Sequence, residues 1–318
     1  MAFTMHSHSG QFCPGHAVDQ LEDIVQHAIK LGFKTMGLSE HMPRYEERDL
    51  YPEELSDPQT SLSSLPALHG AYLQEAQRLQ QKYAPQIHIL IGFEAEFIRP
   101  SYGPLVKTLA ATSSSSSSQP PIDYFIGSVH HVHSIPIDYS PAMYADAIAA
   151  SDHSEERLHE AYYDLQHQML LALRPRIVGH FDLIRLLSSD PGRDPRSWKG
   201  VWERIVRNLR LVKEQGGWLE LNTAALRKGL EEPYPGRVIA EEWINLNGRF
   251  TMSDDSHGIA HLATNYPRGI AYLARLGVQT LWTFERQCQS SGAKATLLDK
   301  PVPLDVFRET FPLPDEGA

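Results

Sequence analysis

The chain has 318 residues, 42% of them hydrophobic, enough for a large buried core, and its length suits one α/β domain with loop insertions spanning 1–318. Its formal charge of −10 argues against a nucleic-acid partner, whose phosphodiester backbone needs basic stripes, but leaves room for a local basic pocket that takes a small phosphate ester. No apolar run of about 18 residues suggests a membrane span. The start at Met1 lacks the basic and apolar regions of a signal peptide, and Cys13 and Cys288 are too few for a disulfide framework. A cytoplasmic protein is therefore expected, and a homo-oligomer is compatible with this composition.

In chain order, a short strand at Phe3-Thr4-Met5 precedes a helix around Val18–Leu31, closed by Gly32. Lys34–Leu38 reads as a strand, and a polar loop from Met42 to Ser64 leads to a helix over Leu65–Lys82. Ile87–Gly92 and Ile122–Val129 are the next strands. His153–Leu173 is a long helix ended by Pro175, followed by a strand at Arg176–Gly179. Trp198–Gln215 is helical, Trp218–Leu221 and Phe250–Met252 are strands, and Glu241–Leu246 between them is helical. A helix near Ile270–Leu276 and a strand near Gln279–Phe284 complete the series. Strands alternating with helices predict βα units and a parallel sheet, and seven or eight units favour a closed barrel. The low-complexity segment at 112–121, with its Ser113–Ser118 run, is expected to be a surface insertion.

Sixteen histidines invite a metal hypothesis. A His-x-His such as His6-x-His8 arises roughly once by chance at this frequency, so position carries the argument. His6 and His8 follow the first predicted strand. His41 follows the second, Glu94 the third, His130 the fourth, His180 the fifth, and Asp255 and His257 follow Phe250–Met252. Parallel barrel strands converge such ends on one face, where barrel enzymes place their chemistry. A mixture of imidazole and carboxylate without thiolate suits hard or borderline divalent cations. With His16 there are nine candidate ligands, more than one or two metals need, and three metals sharing a bridging carboxylate would use them economically. Such a centre lowers the pKa of a bridging water and clamps an in-line phosphoryl displacement. An amidohydrolase would use a similar site, so the ligands alone do not choose the scissile bond.

His6-x-His8, His16, Ser39-Glu40-His41, Gly92-x-Glu94, Gly127-Ser128-Val129-His130, Gly179-His180 and Asp255-x-His257 occur in the order of the motif series of the PHP (polymerase and histidinol phosphatase) family, which this chain resembles from Met5 to His257. The resemblance implies a distorted (β/α)7 barrel with a trinuclear site of Zn, Fe or Mn. It also implies a ligand distribution: His6, His8, Glu94 and Asp255 for one metal; Glu94, His130 and His180 for a second; His16, His41 and His257 for a third. Asp254 beside Asp255 departs from the pattern and is read as supporting.

Within the family the chain is similar to the free-standing histidinol phosphatases, on Ile122–His130, Gly179–Ile184 and Glu220-Leu221-Asn222-Thr223. That implies hydrolysis of L-histidinol phosphate by a metal-bridging hydroxide, with Asp255 or a nearby histidine such as His257 protonating the leaving alkoxide. Arg185 and Arg227 follow two of these segments, and their planar forks suit a phosphate. Another PHP phosphoesterase and a non-catalytic PHP-like module are the alternatives. His27, His69, His159 and His167 lie in predicted helices and are expected at the surface or boundary. Glu96 and His133, one strand period beyond proposed ligands, are candidates to orient them.

Overall fold

The computed structural model describes residues 2–111, 120–287 and 296–312; the low-complexity run at Ser113–Ser118 and Cys288 lie outside them. The chain opens with strand β1 (Phe3–Thr4), helix α1 (Leu21–Lys30) and strand β2 (Thr35–Leu38). Helix α2 (Pro58–Lys82) starts seven residues before the expected Leu65. Asp57 caps it by accepting from the Thr60 N–H, and Pro58 occupies a first-turn position that needs no donor. The stretch before it is not plain loop but contains 3-10 turns at Glu47–Asp49 and Pro52–Glu54.

Strands β3 (His88–Ile91) and β4 (Glu94–Glu96) are separated by Gly92 and Phe93. There follow α3 (Tyr102–Ala111), β5 (Ile126–Ser128), the hairpin of β6 (His131–Val132) and β7 (Ile135–Pro136), α4 (Pro141–Ala149) and α5 (Glu155–Leu173). Then come β8 (Ile177–Val178), α6 (Lys199–Glu214), β9 (Trp218–Asn222), α7 (Ala224–Arg227), α8 (Arg237–Asn245), β10 (Phe250–Ser253) and α9 (Tyr266–Arg275). The chain continues with β11 (Thr280–Gln287), β12 (Thr296–Pro303) and α10 (Leu304–Thr310).

The result is a mixed α/β fold whose central strands are parallel, in two sheets ordered β1-β2-β3 and β10-β9-β8-β5-β4. Hydrogen bonds join the sheets at both edges. Glu94 N–H donates to Glu40 O at 3.0 Å, and Met42 N–H to Glu94 O at 3.0 Å. On the other side Met5 N–H donates to Met252 O at 3.2 Å, and His8 N–H to Ser256 O at 2.7 Å. These strands are almost wholly buried because helices cover their outer faces, as parallel sheets require.

Two departures from the sequence-based expectation have physical reasons. Only Ile126–Ser128 of the expected Ile122–Val129 strand pairs as one. Before it, the Tyr124 ring lies over strand glycines: a Cβ at Gly92 would stand 2.6 Å from Tyr124 Cε1, and one at Gly37 2.1 Å from its hydroxyl oxygen. That hydroxyl donates to Met5 O at 2.6 Å, tying the segment across the first strands. The strand expected at Gln279–Phe284 forms, but it does not continue the parallel series. β11 pairs antiparallel with β12, in register from Thr280↔Pro303 to Gln287↔Thr296. A short link permits only antiparallel return, since a parallel crossover needs a dozen or more residues. Phe284 then stacks on Trp218 at 4.6 Å and fastens this ribbon to the core. Among the described residues no helix is long and apolar enough to cross a membrane.

Candidate metal centre

At the C-terminal ends of the parallel strands the chain gathers imidazoles and carboxylates from distant positions. His6 and His8 follow β1, His41 follows β2, Glu94 opens β4, His130 follows β5, His180 follows β8, and Asp255 and His257 follow β10. All but His257 are nearly solvent-free or have side chains no more than 10% exposed. Three groups bring ligand atoms within 4.8 Å of one another: His6, His8 and Asp255; Glu94, His130 and His180; and His8, His41 and His257.

Glu94 stands between the groups. Its Oε2 lies 3.2 Å from His6 Nε2, 3.5 Å from His8 Nε2 and 3.1 Å from His41 Nδ1. Its Oε1 lies 3.4 Å from His130 Nε2 and 3.0 Å from His180 Nε2. One carboxylate thus presents one oxygen to each side, the disposition expected of a bridge. Asp255 Oδ1 completes the first group, 3.3 Å from His8 Nε2 and 3.7 Å from His6 Nε2. His16 stands at the rim with a side chain 33% exposed. Its ring lies 5.3 Å from that of His41 and 4.9 Å from that of His257, while its Nδ1 is 3.3 Å from Glu53. His16 therefore borders the third group, in which His8 supplies the third nitrogen within 4.8 Å.

The electrostatics of the group couple the imidazoles to the carboxylates. Burial opposes charge on His6, but the carboxylates of Asp255, Glu220 and Glu94 outweigh it and hold its pKa well above the usual value. Burial and the charge of His41 push His8 down to about 3. Glu94 and Asp255 are held well below the carboxylate range, because facing imidazoles overcome their desolvation. His6 Nε2, His8 Nε2 and both nitrogens of His41 are buried without hydrogen-bond partners. Orphaned ring nitrogens facing carboxylates fit divalent cations, since the nitrogen–oxygen set is the chemistry such ions take and leaves no lone pair idle.

Supporting carboxylates hold the rings in place. Glu220 Oε1 accepts from His6 Nδ1 at 2.8 Å and from the Ser253 hydroxyl, and its Oε2 accepts from the His180 N–H at 2.8 Å and from Asn222 at 3.0 Å. Glu220 was expected only as part of a segment similar to the histidinol phosphatases, with no such role. The signal was there: a glutamate between Leu219 and Leu221 inside a buried strand must point into the interior and needs a partner. Glu96, expected to orient a ligand, lies 3.0 Å from His41 Nδ1 and binds Arg44 and Tyr51 at 3.0 and 3.1 Å. His133 instead reaches Ser151 at 3.1 Å, on a backbone with φ 54°, away from these groups. Asp254 accepts from the Ala263 N–H at 2.6 Å and from Thr4 at 3.3 Å, a structural role. His69 and His159, expected at the surface or boundary, are buried at 7% and 8% exposure: His69 against Tyr72 and Phe93, His159 against Tyr144 and Trp198.

The two arginines differ. Arg227, ending α7, donates to Asp255 O at 2.8 Å, and its buried Nε has no partner. Arg185 is already engaged, with Asp182 at 2.8 Å and with the carbonyls of Glu232 and Pro233 at 2.9 and 2.6 Å. It lines a cavity of about 530 Å3 with Asp182, Arg193 and Trp198 that includes none of the clustered imidazoles. A smaller cavity, about 150 Å3, opens on His16 and His41 and is walled by Arg44, Tyr51, Glu53 and Leu65, so the 42–65 segment does border the cluster.

The PHP domain model matches residues 4–224, which carry most of these groups. The chain is 40% identical to the "Probable histidinol-phosphatase" of Schizosaccharomyces pombe over 92% of each chain. It is 30% identical to the histidinol-phosphatase of Saccharomyces cerevisiae, covering 84% of this chain and 87% of that one. The fold is similar to the crystal structure of histidinol phosphate phosphatase from Lactococcus lactis, complexed with Zn, L-histidinol and phosphate. That match has a TM-score of 0.63 at 18% identity over 89% of this chain and 96% of that one. On its ordered motifs, its fold and these matches, the chain belongs to the PHP family, where its relatives are histidinol-phosphatases.

Proposed function

We propose that this protein is a metal-dependent phosphomonoesterase that hydrolyses L-histidinol phosphate to L-histidinol and inorganic phosphate. The observation that carries the reading is the two-sided Glu94 carboxylate among five buried imidazoles, in a chain matched nearly end to end by histidinol-phosphatases. The proposal includes three divalent cations of Zn, Fe or Mn type. His6, His8, Glu94 and Asp255 would hold one, Glu94, His130 and His180 a second, and His16, His41 and His257 a third. Cations so held act as Lewis acids toward phosphoryl oxygens and lower the pKa of water.

The remaining work falls to the chain's own residues. Glu220 fixes the His6 ring through Nδ1, which leaves Nε2 turned toward Glu94. Arg227, with its unpartnered Nε, is placed beside the Asp255 carbonyl to receive phosphoryl oxygens. Asp255 and His257, whose side chains are 10% and 16% exposed beside the rim residue His16, are assigned protonation of the leaving alkoxide. The fold reading that accompanies this is a distorted barrel of seven parallel strands, counting β3 and β4 as one interrupted strand. Its support is the hydrogen bonding at both edges between the two sheets.

The test is phosphate release from histidinol phosphate, phosphotyrosine and a mononucleotide, with and without chelator. Chelator-sensitive turnover favouring histidinol phosphate is expected. Equal rates on all three esters would remove the substrate assignment, and chelator-resistant turnover would remove the metal.

A further inference from the structure

Asp138 is a carboxylate that neither the metal groups nor their supports use. It follows the β6–β7 hairpin, and both chain neighbours tie it to the cluster. Ile137 N–H donates to His130 O at 2.9 Å, and the Tyr139 ring stacks on Tyr51 at 6.0 Å. The Asp138 carboxylate lies within electrostatic reach of Tyr51, His130, His131, Tyr162 and Tyr234, which belong to four separate stretches of chain. The Ile137 tie sets the Asp138 backbone beside His130, whose ring lies 4.7 Å from that of His180. It is half-buried, and among the described residues it has no hydrogen-bond or ion-pair partner.

A second group points the same way. Tyr234 is 1% exposed, its ring is 6.3 Å from the His180 ring, and its hydroxyl has no partner. A buried lone hydroxyl is costly unless a ligand supplies what it lacks, and a lone carboxylate is free to take a donor. What an anionic acceptor and a hydroxyl both lack is a cationic donor with several N–H bonds, and a primary ammonium has three. Arg227 and the cation site answer the phosphate end of an ester; they do nothing for an amine.

We propose that Asp138, together with the Tyr234 hydroxyl, recognises the ammonium group of the substrate and so selects phosphate monoesters of amino alcohols. This rests on the reading that the protein hydrolyses histidinol phosphate. The charge-assisted hydrogen bond contributes chiefly to binding, so its loss is read in KM.

The test compares wild type and Asp138→Asn on histidinol phosphate and on imidazolylpropyl phosphate, the same ester without its amino group, with metal content measured in both proteins. In wild type, removing the amine should lower kcat/KM about 10- to 100-fold. Asp138→Asn should lower kcat/KM for histidinol phosphate by a similar factor, mostly through KM. For the variant, removing the amine should then cost less than about threefold more, because the two changes delete one interaction. Losses that multiply, or a variant stripped of metal, overturn the inference. Wild type indifferent to the amine overturns it without any variant, and Tyr234→Phe should show a smaller loss of the same pattern, about fivefold. Absence of chelator-sensitive turnover of histidinol phosphate by wild type would instead defeat the parent reading. Retained amine selectivity in Asp138→Asn defeats this inference alone.

Discussion

The strand-end cluster and the α5–α6 interface are both rich in buried or half-buried polar groups, yet they are finished differently. Between the helices, Asp164 accepts from Arg204 and Arg207 at 2.9 Å each, and Asn208 donates to Tyr163 O at 2.7 Å and Gln166 at 3.1 Å. Gln166 in turn donates to Phe181 O at 2.9 Å. These groups pair with one another or with backbone carbonyls, as a structural network must. At the strand ends, ring nitrogens of His6, His8 and His41 face carboxylates without closing hydrogen bonds. Orphan status alone is not the mark, for His69 is also buried and unpartnered; it lies among aromatic rings and burial lowers its pKa to about 4. Unfinished polarity that is clustered and mixed with carboxylates is what signals a ligand.

The harshest test of that contrast is Glu94→Gln. It alters the carboxylate that faces five imidazoles, and metal content should fall while phosphate release drops at least about 10³-fold, the several kcal/mol a Lewis-acid site supplies. Asp164→Asn in the finished network should leave turnover within about twofold and cost about 1 kcal/mol in stability by urea unfolding. Equal effects of the two on turnover would erase the distinction.

Next in size is Glu220→Gln, which keeps the shape but weakens the grip on His6. Metal affinity or turnover should fall about 10- to 100-fold, measured by competition with a chelator and by phosphate release. An unaltered affinity would make Glu220 a packing residue. Arg227→Lys follows, with kcat/KM falling about 10-fold through loss of the planar fork. Arg185→Lys should act mainly on thermal stability, because its guanidinium already serves Asp182 and two carbonyls. A reversed order of these two in kcat/KM would move the phosphate grip to Arg185.

The smallest effect concerns Glu40, buried beside Ser9 and pushed up by desolvation from 4.5 to about 7. Between those values the folded state keeps a proton that the unfolded chain has released, so stability falls as pH rises. Metal-free wild type should therefore lose roughly 2 kcal/mol between pH 4.5 and 7 that Glu40→Gln does not lose, read from urea midpoints at the two pH values. Parallel pH curves for the two proteins would rule this out.

Much of the cluster was legible because parallel strands bring their C-terminal ends to one face, and His6, His8, His41, Glu94, His130, His180 and Asp255 all follow or open apolar runs. Glu220 was hidden because its side chain acts from inside a strand, where the apolar pattern of Trp218 and Leu219 dominates the reading. Helices α3 and α4 were missed for want of long periodicity, although Ser140, which accepts from the Met143 N–H just ahead of Pro141, marks the start of the second. The antiparallel return of β11 depends on β12, whose Pro301 and Pro303 disguise an edge strand. Local pattern cannot announce a pairing partner, and the 530 Å3 cavity, assembled from the 182–198 and 229–239 segments and residues of α5 and α6 far apart in the chain, had no local signal.

Whether the unfinished polarity at the strand ends is a catalytic cation site is decided by stripping the protein of metal and titrating divalent ions back while following bound metal and phosphate release from histidinol phosphate together. Turnover that vanishes on stripping and returns in step with metal bound by wild type, but not by Glu94→Gln, is the predicted result. Full turnover by the stripped protein would show that these groups hold no catalytic cation.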